Sequence, residues 1–185
     1  MMSKQDWKDF NDKKDFNTIR MAGVVRESIV DGPGLRLTVF CQGCPHGCKG
    51  CHNQETHDFN GGYDCDISKI VDAVASNPLL DGVTFSGGEP FCQPEAFFSL
   101  AMALKEMRSD LNLMAYSGYT YEELKEMHDE SVDKLLSVID FLVDGRFILE
   151  KKDLTLLFRG SSNQRVIDMN KTRQAGKVVL AEKYI

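Results

Sequence analysis

Cys44, Cys48 and Cys51 fall within eight residues, in the run Cys44-Pro-His-Gly-Cys48-Lys-Gly-Cys51. The spacing is C-x3-C-x2-C, in a stretch rich in glycine and proline, which is loop composition rather than helix or strand. Such a loop can wrap three thiolates around one iron–sulfur cluster. A cubane cluster has four irons and commonly takes four cysteines. A tripod leaves one iron free of protein, as a catalytic zinc keeps one position open, and a small molecule can bind and react there. Two other readings compete. Cys41 with Cys44, and Cys48 with Cys51, form two C-x2-C pairs suited to zinc, although structural zinc pairs usually stand much further apart in sequence. Disulfides need an oxidising compartment, and residues 1–17 are polar and charged, without the apolar stretch of a secretory signal. Cys41 closes the apolar run 36–40, while Cys65 and Cys92 stand alone; these three are expected to be structural, with Cys41 packing as a small hydrophobe.

A second motif, Ser86-Gly-Gly-Glu-Pro90, follows directly on the apolar run 82–85. Its two glycines let a ligand approach the backbone closely. Glu89 can accept charge-assisted hydrogen bonds from an ammonium group. A plain turn has the same composition.

The elements that must position these groups alternate along the chain. Strands are expected over 21–25, 36–40, 82–85, 111–116, 138–143, 165–168 and 177–180. Apolar spacing predicts a helix over 66–76 and another from Pro94, whose stripe is Phe97, Leu100, Ala101, Leu104 and Met107. Thr120-Tyr-Glu-Glu123 is a capping-box sequence opening a helix to about Met127, and 131–137 reads as a further short helix. Strands alternating with helices imply an α/β fold with a mostly parallel sheet. Four polar, glycine-bearing segments follow strands: the cysteine loop, 86–89, 117–119 and 144–146. Ligands of parallel α/β folds bind at strand carboxyl ends, so these segments are expected to share one mouth.

The 185 residues suit a polar arm over 1–17 and a single domain over 18–185. A net charge of −6 argues against broad nucleic-acid binding. No apolar stretch approaches the length of a membrane span. The chain reads as a cytoplasmic protein with reduced thiols.

Together the cysteine loop and Gly-Gly-Glu-Pro resemble the radical S-adenosylmethionine enzymes. More narrowly, the chain is similar to the activating proteins of anaerobic (class III) ribonucleotide reductase. The narrower resemblance rests on Asp31-Gly-Pro-Gly34 with Arg36, on Tyr116-Ser-Gly-Tyr119, on Val143-Asp-Gly-Arg-Phe147 and on Phe158-Arg-Gly-Ser-Ser-Asn-Gln164. Gly50 before the third cysteine fits these activators, whereas Cys51-His-Asn53 is closer to the activator of pyruvate formate-lyase. The resemblance implies a short, open (β/α) partial TIM barrel of the radical S-adenosylmethionine type. It implies a [4Fe-4S] cluster held by Cys44, Cys48 and Cys51, with S-adenosylmethionine on the fourth iron. Gly87, Gly88 and Glu89 would then receive the methionine ammonium, Gly50 and His52 would lie near the adenine, Asp144 would meet the ribose, and Ser86 and Ser117 would complete the binding site. The implied reaction is reductive cleavage of S-adenosylmethionine to a 5′-deoxyadenosyl radical, which takes a hydrogen from a backbone glycine of the reductase catalytic subunit. Reduced flavodoxin is the implied electron donor. No acid–base residue is assigned, and His46 and His57 read as ordinary loop histidines. The alternatives are a radical enzyme that activates another glycyl radical enzyme or acts on a small molecule such as a deazaguanine precursor, and a non-catalytic iron–sulfur or zinc module.

Overall fold

A computed structural model describes residues 17–184, so the arm expected over 1–17 lies, apart from Asn17, outside the described residues. Period-two alternation sorts the central strands into two faces. In β2 (Arg36–Cys41), Leu37, Val39 and Cys41 enter the main core, while Arg36, Thr38 and Phe40 point the other way. β1 (Thr18–Ser28) precedes it, and β3 (Tyr63–Asp66) follows. In β4 (Gly82–Gly87) the core residues are Val83 and Phe85, in β5 (Asn112–Tyr116) Leu113 and Ala115, in β6 (Phe141–Asp144) Leu142, and in β7 (Arg165–Asp168) Ile167.

The helices are α1 (Ile67–Ala75), α2 (Pro94–Met107), α3 (Tyr121–Glu126), α4 (Glu130–Val138) and α5 (Met169–Ala175). Each delivers apolar side chains to that same core: Ile70 and Val74, Phe97 and Leu104, Leu124, Leu135, and Met169. The helices therefore cover one face of the sheet. The opposite face carries a smaller cluster of Met114, Val143, Val166 and Ala181, with Phe141, Phe158 and Tyr184 packed against it.

The strand order is β3-β1-β2-β4-β5-β6-β7. β2, β4, β5 and β6 run parallel, but β1 is antiparallel to both β2 and β3, and β7 is antiparallel to β6. The sheet is thus mixed, which corrects the expectation of a mostly parallel one. Connection length is the reason. A parallel return needs a crossover of about a dozen residues or more, and the link over 29–35 between β1 and β2 is too short for one. The 145–164 link is long enough but forms only a helical turn at Leu149–Lys151, with no covering helix.

Other expectations change locally. The strand placed at 138–143 starts at Phe141, because Val138 ends α4. The strand placed at 177–180 reduces to a bridge between Leu180 and Ile167. No described helix is long and apolar enough to cross a membrane.

The 29–35 loop folds back beneath the face opposite the helices. Asp31 Oδ2 accepts from Ser28 Oγ at 2.6 Å and Thr38 Oγ1 at 3.1 Å, and its carbonyl accepts from Thr84 Oγ1 at 2.7 Å. Arg36 is fully buried there and donates to Thr84 Oγ1, Pro33 O, Val83 O and Asn112 O at 2.6–3.0 Å. Burial lowers its pKa to about 10, so it stays charged at neutral pH.

Candidate active site

The parallel register sets Cys41 beside Gly87 and Tyr116 beside Val143, so the strand ends open together at one edge. β7 enters from the opposite direction, which brings the segment before Arg165 to the same edge. A cavity of about 430 Å³ lies there, a volume typical of a small-molecule site. Its lining includes Cys44, Cys48, Cys51, His52, Ser86, Gly87, Gly88 and Ser117, together with Asp31, Tyr116, Phe147, Phe158, Arg159 and Gln164.

Backbone bonds fix the cysteine loop. Gly43 N–H donates to Thr56 O at 2.8 Å, and Cys44 N–H to His57 O at 3.1 Å. Gln42 Nε2 straps the returning chain by donating to Glu55 O at 3.1 Å and Asp58 O at 2.7 Å. Cys44, Cys48 and Cys51 are free thiols, partly exposed to the cavity. Burial pushes the Cys44 and Cys51 thiols up, N–H donors from His46 and Asn53 pull them back, and the neighbouring sulfurs push them up again. A bound metal group would supply the positive charge that favours the thiolate form of all three. Among the described residues, no three His, Cys, Asp or Glu side chains gather closely enough to hold one metal ion, as zinc would require. A cluster asks less of them, because each thiolate meets a different iron. The soft, three-sulfur donor set fits an iron–sulfur group.

The glycine turn lies flat against the end of β2. Gly88 N–H donates to Cys41 O and Glu89 N–H to Gly43 O, both at 2.8 Å. Gly87 has φ +97°, and a Cβ there would stand 2.6 Å from Cys41 N and Phe40 Cα. No side chain fits, and the bare backbone faces the cavity.

Three expected site residues are absent from the lining. Glu89 is fully buried, and its carboxylate is saturated. Oε1 accepts from Phe91 N–H at 3.1 Å and Ser117 Oγ at 3.0 Å; Oε2 accepts from Gly118 N–H and pairs with His46 Nε2, both at 2.8 Å. These four contacts match the roughly four lone-pair positions of a carboxylate. Asp144 shares strand parity with Leu142 and so points toward the helices. It accepts from Tyr121 N–H at 2.7 Å and from Arg165, which also holds Glu122. Gly50, at φ +74°, turns its Cα toward Leu149, 3.0 Å from where a Cβ would be. The structure puts Gly50, Glu89 and Asp144 around the site rather than on its surface.

His46 is the converse. Its side chain is 3% exposed, bonded to Glu89 and edge-on to Tyr119 at 4.4 Å. It is not an ordinary loop histidine. Its position between Cys44 and Cys48 was the available signal, but the partner lies 43 residues away. Asp31 reaches the cavity through the fold-back of its loop, which composition does not announce. Cys41 is fully buried in the core, whereas Cys92 is exposed rather than packed inside.

A family model described as a 4Fe-4S single cluster domain matches residues 30–167. The anaerobic ribonucleoside-triphosphate reductase-activating protein of Vibrio cholerae is 38% identical over 142 residues, covering 74% of this chain and 89% of that protein. Its counterpart from Haemophilus influenzae is 35% identical over 144 residues, covering 74% and 89%. The Escherichia coli K12 protein is 35% identical over 147 residues, covering 75% and 91%. QueE from Escherichia coli overlaps more loosely in structure, with a TM-score of 0.46 at 13% identity over 64% of this chain and 58% of that one. The extent of these matches, joined to three thiols on one cavity wall, places the chain in the family of anaerobic ribonucleoside-triphosphate reductase-activating proteins, built on a 4Fe-4S single cluster domain.

Proposed function

We propose that the chain generates a glycyl radical on the catalytic subunit of anaerobic ribonucleotide reductase, with Cys44, Cys48 and Cys51 holding the cluster and S-adenosylmethionine occupying the adjoining cavity. The observation that carries this reading is that the three free thiols and the bare Gly87-Gly88 backbone line the same cavity. Held by Cys44, Cys48 and Cys51, the cluster would supply the single electron for reductive cleavage of S-adenosylmethionine, the chemistry by which a hydrogen would be taken from a glycine of the reductase.

The chain's own groups bind and orient. The Gly87-Gly88 backbone offers close approach to the methionine end, and Ser86 and Ser117 add hydroxyls. His52, tilted on Phe147 with ring centroids 5.8 Å apart, lines the nucleoside side. Phe40, Tyr116, Phe147 and Phe158 give the cavity apolar walls that limit water near a reactive radical. No general base is needed. Burial and the nearby Asp31 push the Tyr116 phenol up, so it stays neutral in this role. The one-sided helix layer supports an open, partial (β/α) barrel, and the mouth at its strand ends is where a protein loop would enter. Reduced flavodoxin as donor, a cytoplasmic setting and the absence of nucleic-acid and membrane partners complete the reading.

The test is anaerobic reconstitution with iron and sulfide, followed by reductant, S-adenosylmethionine and the reductase. Four irons per chain, release of 5′-deoxyadenosine and a glycyl doublet in the reductase by electron paramagnetic resonance are expected. Cleavage that leaves the reductase without a radical would reject the activase reading.

A further inference from the structure

Glu89 is where three cavity-lining segments meet. It belongs to the glycine turn, it accepts from Ser117 and Gly118 at the end of β5, and it pairs with His46 between two of the cysteines. Both members of the His46–Glu89 pair are buried, with side chains 3% and 0% exposed. Only Gly118 is small enough for the imidazole to sit where it does, since a Cβ there would come 2.2 Å from His46 Cδ2. His46 is thereby held by a hydrogen bond, a ring contact with Tyr119 and a glycine that makes room for it.

We propose that the His46–Glu89 pair is a latch that sets the cysteine loop against the glycine turn and the β5 end, and so determines how well S-adenosylmethionine is bound once the cluster is in place. His46 is a positioning residue, not a catalytic one, and it touches neither reacting atom. The inference rests on the proposed function. Its physical basis is the cost of removing one partner from a buried, hydrogen-bonded pair. The sulfurs lie two residues on either side of His46, and Gly88 immediately precedes Glu89, so loosening the pair moves iron-holding and ligand-holding groups relative to each other. The two backbone bonds from Gly88 and Glu89 to the β2 end would keep the turn on its strand but leave residues 45–47 free to shift.

His46→Ala, His46→Gln and Gly118→Ala should be compared with the parent chain by three measurements. These are iron and sulfide content after reconstitution, the Kd for S-adenosylmethionine by calorimetry, and hydrogen–deuterium exchange of the cluster-free protein. His46→Ala should keep its iron, because all three thiols remain, yet weaken S-adenosylmethionine binding by about ten-fold, the scale of one hydrogen bond to a charged group. In the cluster-free chain its Gly118 amide should exchange faster. His46→Gln places a donor at similar reach and should recover most of the affinity, which a purely packing role would not allow. Gly118→Ala should reproduce the His46→Ala defect with both partners present, by displacing the ring. If His46→Ala misfolds, the Gly118→Ala and His46→Gln results decide. A Kd within two-fold of the parent in both His46→Ala and Gly118→Ala would overturn the latch. A parent chain that takes up a cluster but binds no S-adenosylmethionine would overturn the functional reading, and the latch with it.

Discussion

Asp144 is 1% exposed and shares its carboxylate between Tyr121 N–H and the Arg165 guanidinium, which also grips Glu122. Arg165→Ala leaves a buried carboxylate without its cation, and such losses cost about 3–5 kcal/mol. Because Arg165 is itself 32% exposed, water can partly substitute, and a urea melt should show a loss near the lower end. The pH dependence has a definite sign. The Arg165 hydrogen bond holds the Glu122 carboxyl below its ordinary range. A carboxylate depressed on folding adds stability above its unfolded pKa of about 4.3 and loses it as pH falls through the folded value. Glu122→Gln should therefore lower stability modestly above about pH 5 and match the parent in acid, which flattens the acid limb; a variant as stable as the parent at neutral pH would contradict the pairing. The three-cysteine set makes a separate prediction. Cys44→Ala, Cys48→Ala and Cys51→Ala should each abolish cluster absorbance, while Cys41→Ala, Cys65→Ala and Cys92→Ala should retain it, as judged by iron content and visible spectra. What the sequence offered at this scale was local chemistry: thiols at short spacing and paired glycines after an apolar run. It did not offer the side a residue takes. Asp144 was expected at the ligand because it ends a strand, but strand parity turns it to the helices, and His46 was passed over because its partner is remote in sequence.

The elements differ in how much of themselves they carry in their own residues. α2 was legible because Phe97, Leu100 and Leu104 recur at helical spacing and Pro94 starts it without sacrificing a needed N–H. The capping box of α3 is also present, with Thr120 Oγ1 accepting from Glu123 N–H at 3.2 Å and Glu123 Oε2 accepting from Thr120 N–H at 2.7 Å. Thr120→Ala should cost about 1 kcal/mol, read as a shift in the urea midpoint with no change in iron content. β3 and α5 were not legible. Tyr63-Asp-Cys-Asp66 has no buried residue and is a strand only because Thr18–Met21 pairs with it. α5 buries just Met169 and Thr172, too few positions to display a period. The glycine turn is an element-scale constraint of another kind, since its shape is imposed by the β2 end it rests on. Gly87→Ala combines a disfavoured φ with backbone clashes at 2.6–2.7 Å, so the turn must lift from β2. The expected outcome is at least a ten-fold weaker affinity for S-adenosylmethionine in the reconstituted protein, because this backbone lines the cavity; unchanged affinity would show that the turn does not face the ligand.

Across the whole molecule, the face opposite the helices has no helix to cover it, and the chain closes it with its own last segment. Ala181 N–H donates to Val166 O at 2.8 Å, and Tyr184 stands edge-on to Phe141 at 5.7 Å and to Phe158 at 5.2 Å. Its carbonyl accepts from Arg159 Nη2 at 3.2 Å. Phe158 is held at φ +59°, a left-handed conformation that costs a bulky residue about 1–3 kcal/mol. Phe158, Arg159, Gly160 and Gln164 line the cavity, so the tail stabilises one wall of the site from behind. The mixed sheet is part of the same arrangement, because only an antiparallel β7 returns residues 158–164 to the mouth and then leads the tail back under them. Deleting residues 181–185 removes both ring contacts and the Arg159 acceptor, and should lower stability by about 3–5 kcal/mol, the range for truncating a packed aromatic. Phe158 should then relax out of its strained backbone. Amides over 158–164 should exchange faster while those of β4 and β5 stay protected, and S-adenosylmethionine affinity should fall with iron content unchanged. Uniform loss of protection across the sheet would instead mean that the tail holds up the whole fold and has no particular hold on the site.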